Sequence, residues 1–287
     1  MEGVMMRSGD RYAVAVRKSD GQIDVRVFPY QGLVRNQGIR NLPVLRGIVS
    51  FAESLATGMR ALSLSASLCE EEGKEEAQED ASMGFSFFVA VVLAVGIFMV
   101  LPYWISLFLQ RYIASGVMMA LAEGAVRLLI FTGYVTAISC MPDIKRVYRY
   151  HGAEHKCINC IEQGMELSVE NVRNSSRQHR RCGTGFLLIV MFVSIVFFLF
   201  IRVDSRVSAL LLRVLLVPVI AGISYEFIRI AGRSDNALVN SLSRPGMWLQ
   251  NLTTGEPDDA MIEVGIASVE AVFDWRSFVA EDEAGER

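Results

Sequence analysis

The sequence predicts a mainly α-helical membrane protein with four transmembrane helices in two hairpins, a small N-terminal β-hairpin and cytoplasmic amphipathic helices. The chain of 287 residues is 52% hydrophobic and has a mean hydropathy of +0.35. Its apolar residues are concentrated in four long blocks, a pattern typical of membrane proteins rather than soluble domains. Lys and Arg are distributed unevenly between the segments that join these blocks, which indicates the orientation of the chain.

The segment before the first apolar block predicts a small folded unit and a linker. Residues 11–18 and 22–28 alternate apolar and polar, and the SDG between them is typical of a turn, so we expect a β-hairpin. Leu42 to Leu68 then has apolar residues at helical spacing. This helix either lies on the membrane surface or packs against the hairpin, and both alternatives stay open. The acidic run EEEGKEEAQED, residues 70–80, predicts a solvated, mobile tether.

Each apolar block is long enough to cross about 30 Å of hydrocarbon at 1.5 Å per residue. The first extends from Phe85 to Leu109 and contains Pro102, which we expect to kink it. The others cover residues 117–138, 184–201 and 207–230. The connections within each pair of blocks are short, so the spans form two hairpins.

The charges of the connecting segments predict the topology. Ten Lys and Arg residues precede residue 85, eight lie in the 139–183 loop, and the two short connections have one and two. By the positive-inside rule, both termini and the 139–183 loop are cytoplasmic. The net charge of −3 argues against a nucleic-acid partner. The four apolar blocks make the lipid bilayer the expected partner, with other membrane proteins as further candidates.

The segment after the last block predicts a packing helix. Pro257, followed by two aspartates, is a typical helix start, and the residues after it form one apolar stripe. The chain therefore divides into six segments: 1–69, β-hairpin plus amphipathic helix; 70–84, acidic linker; 85–138, first transmembrane hairpin; 139–183, His/Cys loop; 184–230, second transmembrane hairpin; 231–287, tail with helix.

Three charged residues fall in the outer half of the predicted spans, away from their cytoplasmic ends. Glu123 and Arg127 are four residues apart, on one face of the second span, and Arg213 lies in the fourth. Ionisable groups inside a membrane are costly and normally pair or face a cavity. The cluster predicts either ion pairing between helices, which we favour, or a polar pathway. A transporter function depends on this cluster alone.

All three histidines of the chain lie within 29 residues, close to a cysteine. Residues 143–163 predict a helix, which places His151, Glu154 and His155 on one face. Two imidazoles at this spacing can bind one metal ion, and a neighbouring carboxylate can take a proton from water. H-x-x-E-H is also the inverted form of a zinc-protease signature.

His179 and Cys182 would complete a tetrahedral set of three nitrogens and one sulfur, for which a divalent metal, zinc first, is the expected cofactor. Weaker candidate ligands are Glu226, at the cytoplasmic end of the last span, and the C-x-x-C pair Cys157 and Cys160. Alternatively, His179 is a solvated residue of a basic juxtamembrane stretch, and the C-x-x-C pair is buried in a core. A reducing cytoplasm argues against disulfides.

Four stretches together resemble the YqhQ-like bacterial membrane-protein family: MEGVMMRSG, YHGAEHK, VENVRNSSRQHRRCGTGF and RPGMWLQNLTTGEPDDAMIEVGIA. That family is a domain of unknown function often described as a predicted metal-dependent enzyme. The resemblance implies a multi-pass protein of the bacterial plasma membrane. It also implies a family signature carried here by His151, Gly152, Ala153, Glu154, His155, His179, Cys182, Gly183 and Thr184.

This chain departs from the family pattern at two places. Members often carry GGQAV ahead of MEGVMM, so we expect a few residues to precede Met1. The position of Cys157 is not cysteine in every member, which weakens the C-x-x-C pair as metal ligands.

The function predicted from these observations is a metal-dependent hydrolase at the cytoplasmic face of the membrane, with Glu154 as general base and an unidentified substrate. The alternative is a non-enzymatic membrane scaffold or assembly factor with a structural metal site or none. The number of converging ligands distinguishes them, because catalytic zinc sites keep an open position and structural sites are closed by four protein ligands.

Overall fold

The computed structural model describes residues 2–32, 34, 38, 42–69, 76–180, 182–200, 205–231 and 236–283. These residues form three strands and eleven helices, joined in one place by a π-helical turn. The elements are β1 (Gly3–Ser8), β2 (Arg11–Arg17), β3 (Ile23–Pro29), α1 (Leu45–Cys69), α2 (Glu76–Val95), the π-helical turn (Gly96–Val100), α3 (Leu101–Leu109), α4 (Gly116–Ser139), α5 (Pro142–Glu162), α6 (Val169–Asn174), α7 (Gly183–Phe200), α8 (Arg206–Ala231), α9 (Ala237–Thr253), α10 (Asp259–Glu270) and α11 (Trp275–Glu283).

The N-terminal sheet has one strand more than the predicted hairpin. Strands β2 and β3 are antiparallel neighbours, as predicted, and β1 pairs antiparallel with the other edge of β2. Val4 and Met6 of β1 point into the core, whereas Arg7 is exposed. The alternation in β1 is carried largely by methionines, which are not typical strand residues, so the pattern gave only a weak signal.

Helix α1 packs against both the sheet and α8, so the packing alternative is the one observed. Ala61 of α1 belongs to a small core with Tyr12 and Val14 of β2. At the other end, Gly47 of α1 meets Gly222 of α8, and a Cβ added at Gly47 would lie 2.6 Å from the Gly222 carbonyl oxygen. The absence of side chains there lets the two helix backbones come into contact.

The acidic segment 70–80, predicted to be a linker, is helical from Glu76 onward. Helix α2 begins at Glu76, and EAQED forms its first turns. Glu, Ala and Gln are good helix formers, and the apolar helix that follows them provides a template for elongation. Residues 70–75 lie outside the described part of the chain.

Within the part of the chain that the structure describes, four helices are long and apolar enough to cross a membrane, at the positions predicted from the sequence. They are Gly84–Leu109, Gly116–Ser139, Gly183–Phe200 and Val207–Ile230. The first contains the π-helical turn directly before Pro102, where the Leu101 N–H donates to the Gly96 carbonyl. Proline cannot donate to the helical ladder and clashes with the preceding turn, so the wider turn accommodates it.

Three charged residues of these candidate spans, Glu123, Arg127 and Arg213, form one cluster. Arg213 donates two hydrogen bonds to the Glu123 carboxylate, at 2.6 and 3.0 Å. Arg127 donates to the same carboxylate at 3.1 Å and to the Ser194 hydroxyl at 2.8 Å. The cluster joins α4, α7 and α8; Glu123, Arg127 and Ser194 are buried and Arg213 is partly buried. This matches the predicted ion pairing between helices.

The largest core of the described residues joins the sheet to α5 and α10. Its fully buried members include Ala15, Ala153, Cys157 and Ile262. Helix α10 begins after Asp258, whose side chain accepts from the Met261 N–H at 3.0 Å. This confirms the predicted packing helix. The core fixes α5 against the rest of the molecule, and α5 carries two of the candidate ligands.

Candidate functional site

Helix α5 presents His151 and His155 on one face, one turn apart. Their ring centroids are 4.4 Å apart. His155 is buried, with 3% of its surface exposed, and His151 is partly buried. The helix starts at Pro142, with Asp143 in its first turn, an arrangement that favours helix initiation. Gly152 did not interrupt it, because packing on both sides offsets the low helix propensity of glycine.

Gly152 has a specific role in the packing around His151. A Cβ at this position would lie 2.0 Å from the carbonyl oxygen of Gly255. The segment after α9 therefore passes directly over α5, and the Gly255 N–H donates to the Tyr148 carbonyl at 2.7 Å. This close approach also brings the Thr253 carbonyl to within 2.9 Å of His151 Nδ1.

The loop between α6 and α7 brings Cys182 to the two histidines. Two hydrogen bonds link the backbone of His179 to the side chain of Gln250 on α9, each 2.8 Å long. The Arg177 carbonyl lies 2.7 Å from His155 Nδ1. These contacts hold the loop against α5 and α9, so that Cys182, directly before α7, faces the imidazoles.

His151, His155 and Cys182 form a compact cluster. One ligand atom from each residue lies within 4.8 Å of those from the other two. The Cys182 Sγ is 3.3 Å from His151 Nε2 and 3.1 Å from the Thr184 hydroxyl. Two imidazoles and one thiol in this arrangement can bind one metal ion or work as a thiol–imidazole pair.

Backbone carbonyls determine which ring nitrogens face the sulfur. A carbonyl oxygen can only accept, so Nδ1 of His151 donates to Thr253 and Nδ1 of His155 donates to Arg177. In the neutral rings, Nε2 is then the atom with a free lone pair. For His151 this is the nitrogen that lies against Cys182 Sγ.

The two histidines change the acid–base properties of the cysteine. Burial alone would raise the pKa of Cys182, but hydrogen bonds and positive charge from His151 and His155 outweigh it and lower the pKa to about 5. Burial likewise disfavours a charged His151, but the Cys182 sulfur outweighs this effect and raises the pKa of His151 to about 9. At neutral pH Cys182 and His151 therefore form a thiolate–imidazolium pair. The thiolate is the form that binds metals and attacks electrophiles, and His151 would release its proton on binding a metal.

Glu154 lies beside this cluster on α5. Burial raises the pKa of its carboxyl group, and the neighbouring His151 and His155 oppose that rise. Its carboxylate makes no hydrogen bond or ion pair with any residue that the structure describes. Carboxylates inside proteins are usually paired, so an unpaired carboxylate here is available to a substrate or to water.

The remaining predicted ligands lie apart from the three-residue cluster. The His179 ring centroid is 5.8 Å from that of His155, and its Nε2 is 3.2 Å from a Glu162 carboxylate oxygen. Glu226 pairs with Arg46 of α1. Both side chains are therefore engaged elsewhere.

The cysteines of the C-x-x-C pair lie in the core between α5 and α10. Cys157 packs against Gly265, and burial raises the pKa of its thiol. The Cys160 thiol donates to the Glu166 carbonyl at 3.3 Å. This location corresponds to the alternative of two small buried residues.

The sequence did not indicate several residues that shape the site. Thr253 and Arg177 act through backbone carbonyls, which carry no sequence signal. Gln250 acts across 71 positions, and Glu162 acts through tertiary pairing with His179.

Comparison with known proteins places this site within a known family. Residues 42–275 match the family described as "Protein of unknown function (DUF1385)". The chain is 34% identical over 282 residues to the "Uncharacterized protein YqhQ" of Bacillus subtilis (strain 168), covering 93% of this chain and 88% of that protein. No solved structure matches the chain. With most of its length matched and the His/Cys cluster inside the matched region, the chain belongs to the DUF1385 family, to which the YqhQ-like resemblance pointed.

Proposed function

We propose that the protein is a multi-pass protein of the bacterial plasma membrane with both termini and the His/Cys cluster on the cytoplasmic side. Four long apolar helices and a bacterial relative of the same family support this location. The concentration of Lys and Arg before residue 85 and in the 139–183 loop supports the orientation. In this orientation the cluster lies at the cytoplasmic ends of α4, α7 and α8.

At this surface we propose a metal-dependent hydrolase with His151, His155 and Cys182 as the three protein ligands. The observation that carries the proposal is the pair of Nδ1 hydrogen bonds to backbone carbonyls, because metal-ligating histidines typically donate their other ring nitrogen in this way. Tetrahedral zinc, with bonds of about 2.0 Å to N and 2.3 Å to S, separates two such ligands by about 3.5 Å. The Sγ–Nε2 distance of 3.3 Å fits that value.

Three protein ligands leave one position for water or substrate, which is the composition of catalytic zinc sites. A divalent metal there would polarise a carbonyl or phosphoryl oxygen and make bound water more acidic. Glu154 is the general base, because its unpaired carboxylate lies beside the cluster and can take the proton of the attacking water. His179 has a positioning role, held by Glu162 and Gln250 at the edge of the site.

A second candidate function is a hydrolase that uses Cys182 as its nucleophile. The 3.3 Å contact between Cys182 Sγ and His151 Nε2 favours it, and the Thr253 carbonyl orients the ring. The Thr184 N–H at 3.5 Å from the sulfur adds a donor from the start of α7. This function needs the same three residues but no metal.

Metal analysis of the purified protein tests the first proposal against the second. Wild-type protein should hold about one zinc-like ion per chain, since one tetrahedral set is available. His151→Ala, His155→Ala and Cys182→Ser should each lose most of it. His179→Ala should keep it, because its ring pairs with Glu162. Cys140→Ser is the matched control for the cysteine variant, since Cys140 is exposed and outside the cluster.

Each result leads to a different conclusion. Wild-type protein without metal would contradict the metal site and leave the thiol mechanism. Loss of metal from His179→Ala as well would indicate four protein ligands, hence a structural site and a scaffold function.

A further inference from the structure

A cavity of about 440 Å³ opens between α4, α7, α8 and α9, outside the His/Cys cluster. Its wall is mostly apolar and includes Leu128, Ile189, Phe192, Ile195 and Phe227. Three of the four helices that line it are candidate membrane spans. We refer to it below as the α7 groove.

The α7 groove covers the depth of one membrane leaflet. It follows α7 from Gly185 to Ile195, and the ten steps between these residues rise about 15 Å at 1.5 Å per residue. The hydrocarbon core of a bilayer is about 30 Å thick, so this length is half of it. Leu128 also lines the groove and lies near the middle of α4. This places the inner end of the groove at the middle of the membrane.

The opposite end of the groove is polar and adjoins the cluster. Arg180 and Gln250 line it there. Arg180 precedes Cys182 by two residues, so their Cα atoms are within about 7 Å of each other. Gln250 also bonds to the backbone of His179, whose ring neighbours His155. The polar end of the groove is therefore linked to the candidate metal ligand His155 through His179.

The volume of the groove limits its occupant. The cavity volume of about 440 Å³ falls within the range of about 300–1,000 Å³ that is usual for small-molecule sites. A single hydrocarbon chain matches the length and the polarity of the space.

We propose that the α7 groove binds one acyl chain of an inner-leaflet phospholipid, with its anionic headgroup at Arg180. Guanidinium groups bind phosphate well, and the RQHRR stretch is basic at the level of the headgroups. This inference deepens the proposed function and depends on it for its chemical part: the substrate is an anionic lipid.

The reaction would be hydrolysis in the headgroup or glycerol region of that lipid. Water adds across an ester or phosphoester bond, its hydroxyl going to the acyl or phosphoryl group. Its proton passes through Glu154 to the oxygen that leaves, so no further reactant is needed. Arg180 and the groove only bind and orient the lipid.

Native mass spectrometry of the full chain in mild detergent tests the lipid site. With added phosphatidylglycerol, the wild type should retain one lipid at least tenfold more tightly than phosphatidylcholine of the same chain length. Val193→Trp and Ile189→Trp place an indole in the groove and should each weaken retention by tenfold or more. Leu187→Trp, on the exposed face of the same helix, is the matched control and should retain lipid as the wild type does.

A further variant tests the charge. Arg180→Gln should reduce the preference for phosphatidylglycerol over phosphatidylcholine to less than threefold while the chain still binds. Equal retention by the two groove variants and Leu187→Trp would overturn the proposal, as would the absence of any headgroup preference in the wild type.

Lipid retention and metal content test the lipid site and the hydrolase separately. His155→Ala should keep wild-type lipid retention while losing metal, since His155 does not line the groove. Lipid retention by a wild-type protein that holds no metal would support the lipid site and contradict only the metal-dependent hydrolase. Metal binding with no retained lipid would contradict only the lipid site.

Discussion

At the scale of single residues, the chemistry of this protein depends on which atoms of His151, His155 and Cys182 face one another. Two backbone carbonyls hold the rings by Nδ1, and the sulfur meets the Nε2 side of His151. A rotation of either ring would replace a lone pair with an N–H and remove the ligand. The carbonyls therefore contribute to the site as much as the residues that the sequence identified.

Glu154 distinguishes catalysis from a purely structural site. Glu154→Gln keeps the size of the side chain and removes the base, and general bases are typically worth 10²–10⁴-fold in rate. We expect metal content and thermal stability to stay at wild-type levels while complementation of a strain lacking the gene is lost. Glu166→Gln, an exposed carboxylate nearby, should complement normally.

Complementation by Glu154→Gln at the wild-type level would contradict the hydrolase. If His155→Ala then lost both metal and stability, the site would be a structural metal site that holds the loop before α7 against α5. A scaffold would tolerate this substitution, because the Thr253 and Arg177 carbonyls, and not Glu154, hold the two rings.

At the scale of helices and loops, glycines determine how closely the site can be packed. Gly152→Ala would drive a Cβ into the Gly255 carbonyl at 2.0 Å, and a backbone atom cannot move away cheaply. We expect a loss of about 1–3 kcal/mol in the free energy of unfolding, as for other overpacked sites. Metal content should fall too, because the Thr253 carbonyl would be pushed away from His151.

Gly58→Ala in α1 is the matched control for this glycine, because a Cβ there meets nothing within 4 Å. Removing a helical glycine should stabilise the protein by about 0.5–1 kcal/mol. Thermal unfolding of both variants in the same detergent provides the comparison. Equal midpoints would show that the contact between Gly152 and Gly255 does not constrain the helix.

In the charged cluster between α4, α7 and α8, loss of the carboxylate should destabilise the protein more than loss of one arginine. Glu123 is shared by Arg127 and Arg213, so the cluster carries one surplus positive charge. Glu123→Gln leaves the buried Arg127 and the partly buried Arg213 without a counter-charge and should cost about 3–5 kcal/mol. Arg213→Gln leaves a balanced Glu123–Arg127 pair and should cost clearly less.

The yield and thermal stability of both variants in detergent measure this difference. A similar loss of thermal stability in the two variants would mean that the charged cluster is in contact with water. A folded and active Glu123→Gln protein would exclude a function for this carboxylate as a polar pathway.

At the scale of the whole molecule, the proposed topology places the cluster and the polar end of the α7 groove at one membrane surface. A reporter fused to the C-terminus or inserted near Ser168 should read cytoplasmic, and one inserted near Ser115 should read outside, because Lys and Arg are concentrated in the other segments. A cytoplasmic signal at Ser115 would contradict the two-hairpin arrangement. An insertion at Asp20, in the tight turn between β2 and β3, is a control expected to read cytoplasmic.

The sequence by itself determined the features that depend on local pattern. Four apolar blocks gave four long helices, because about 20 apolar residues are a signal that tertiary context rarely changes. The spacing of His151, Glu154 and His155 placed them on one helix face, since 3.6 residues per turn leaves no other arrangement. The second and third strands and the α10 helix followed in the same way from periodicity and turn residues.

Only the tertiary structure decided what depends on contacts between distant segments. It brought Cys182 to the histidines and left His179 with Glu162, although both residues lie at ligand spacing in the sequence. It added β1, which has a partner only when β2 is in place, and directed Glu226 to Arg46. The physical reason is common to all of these. Hydrogen bonds to backbone carbonyls, ion pairs across helices and close contacts at glycines depend on packing, and none of them has a period along the chain.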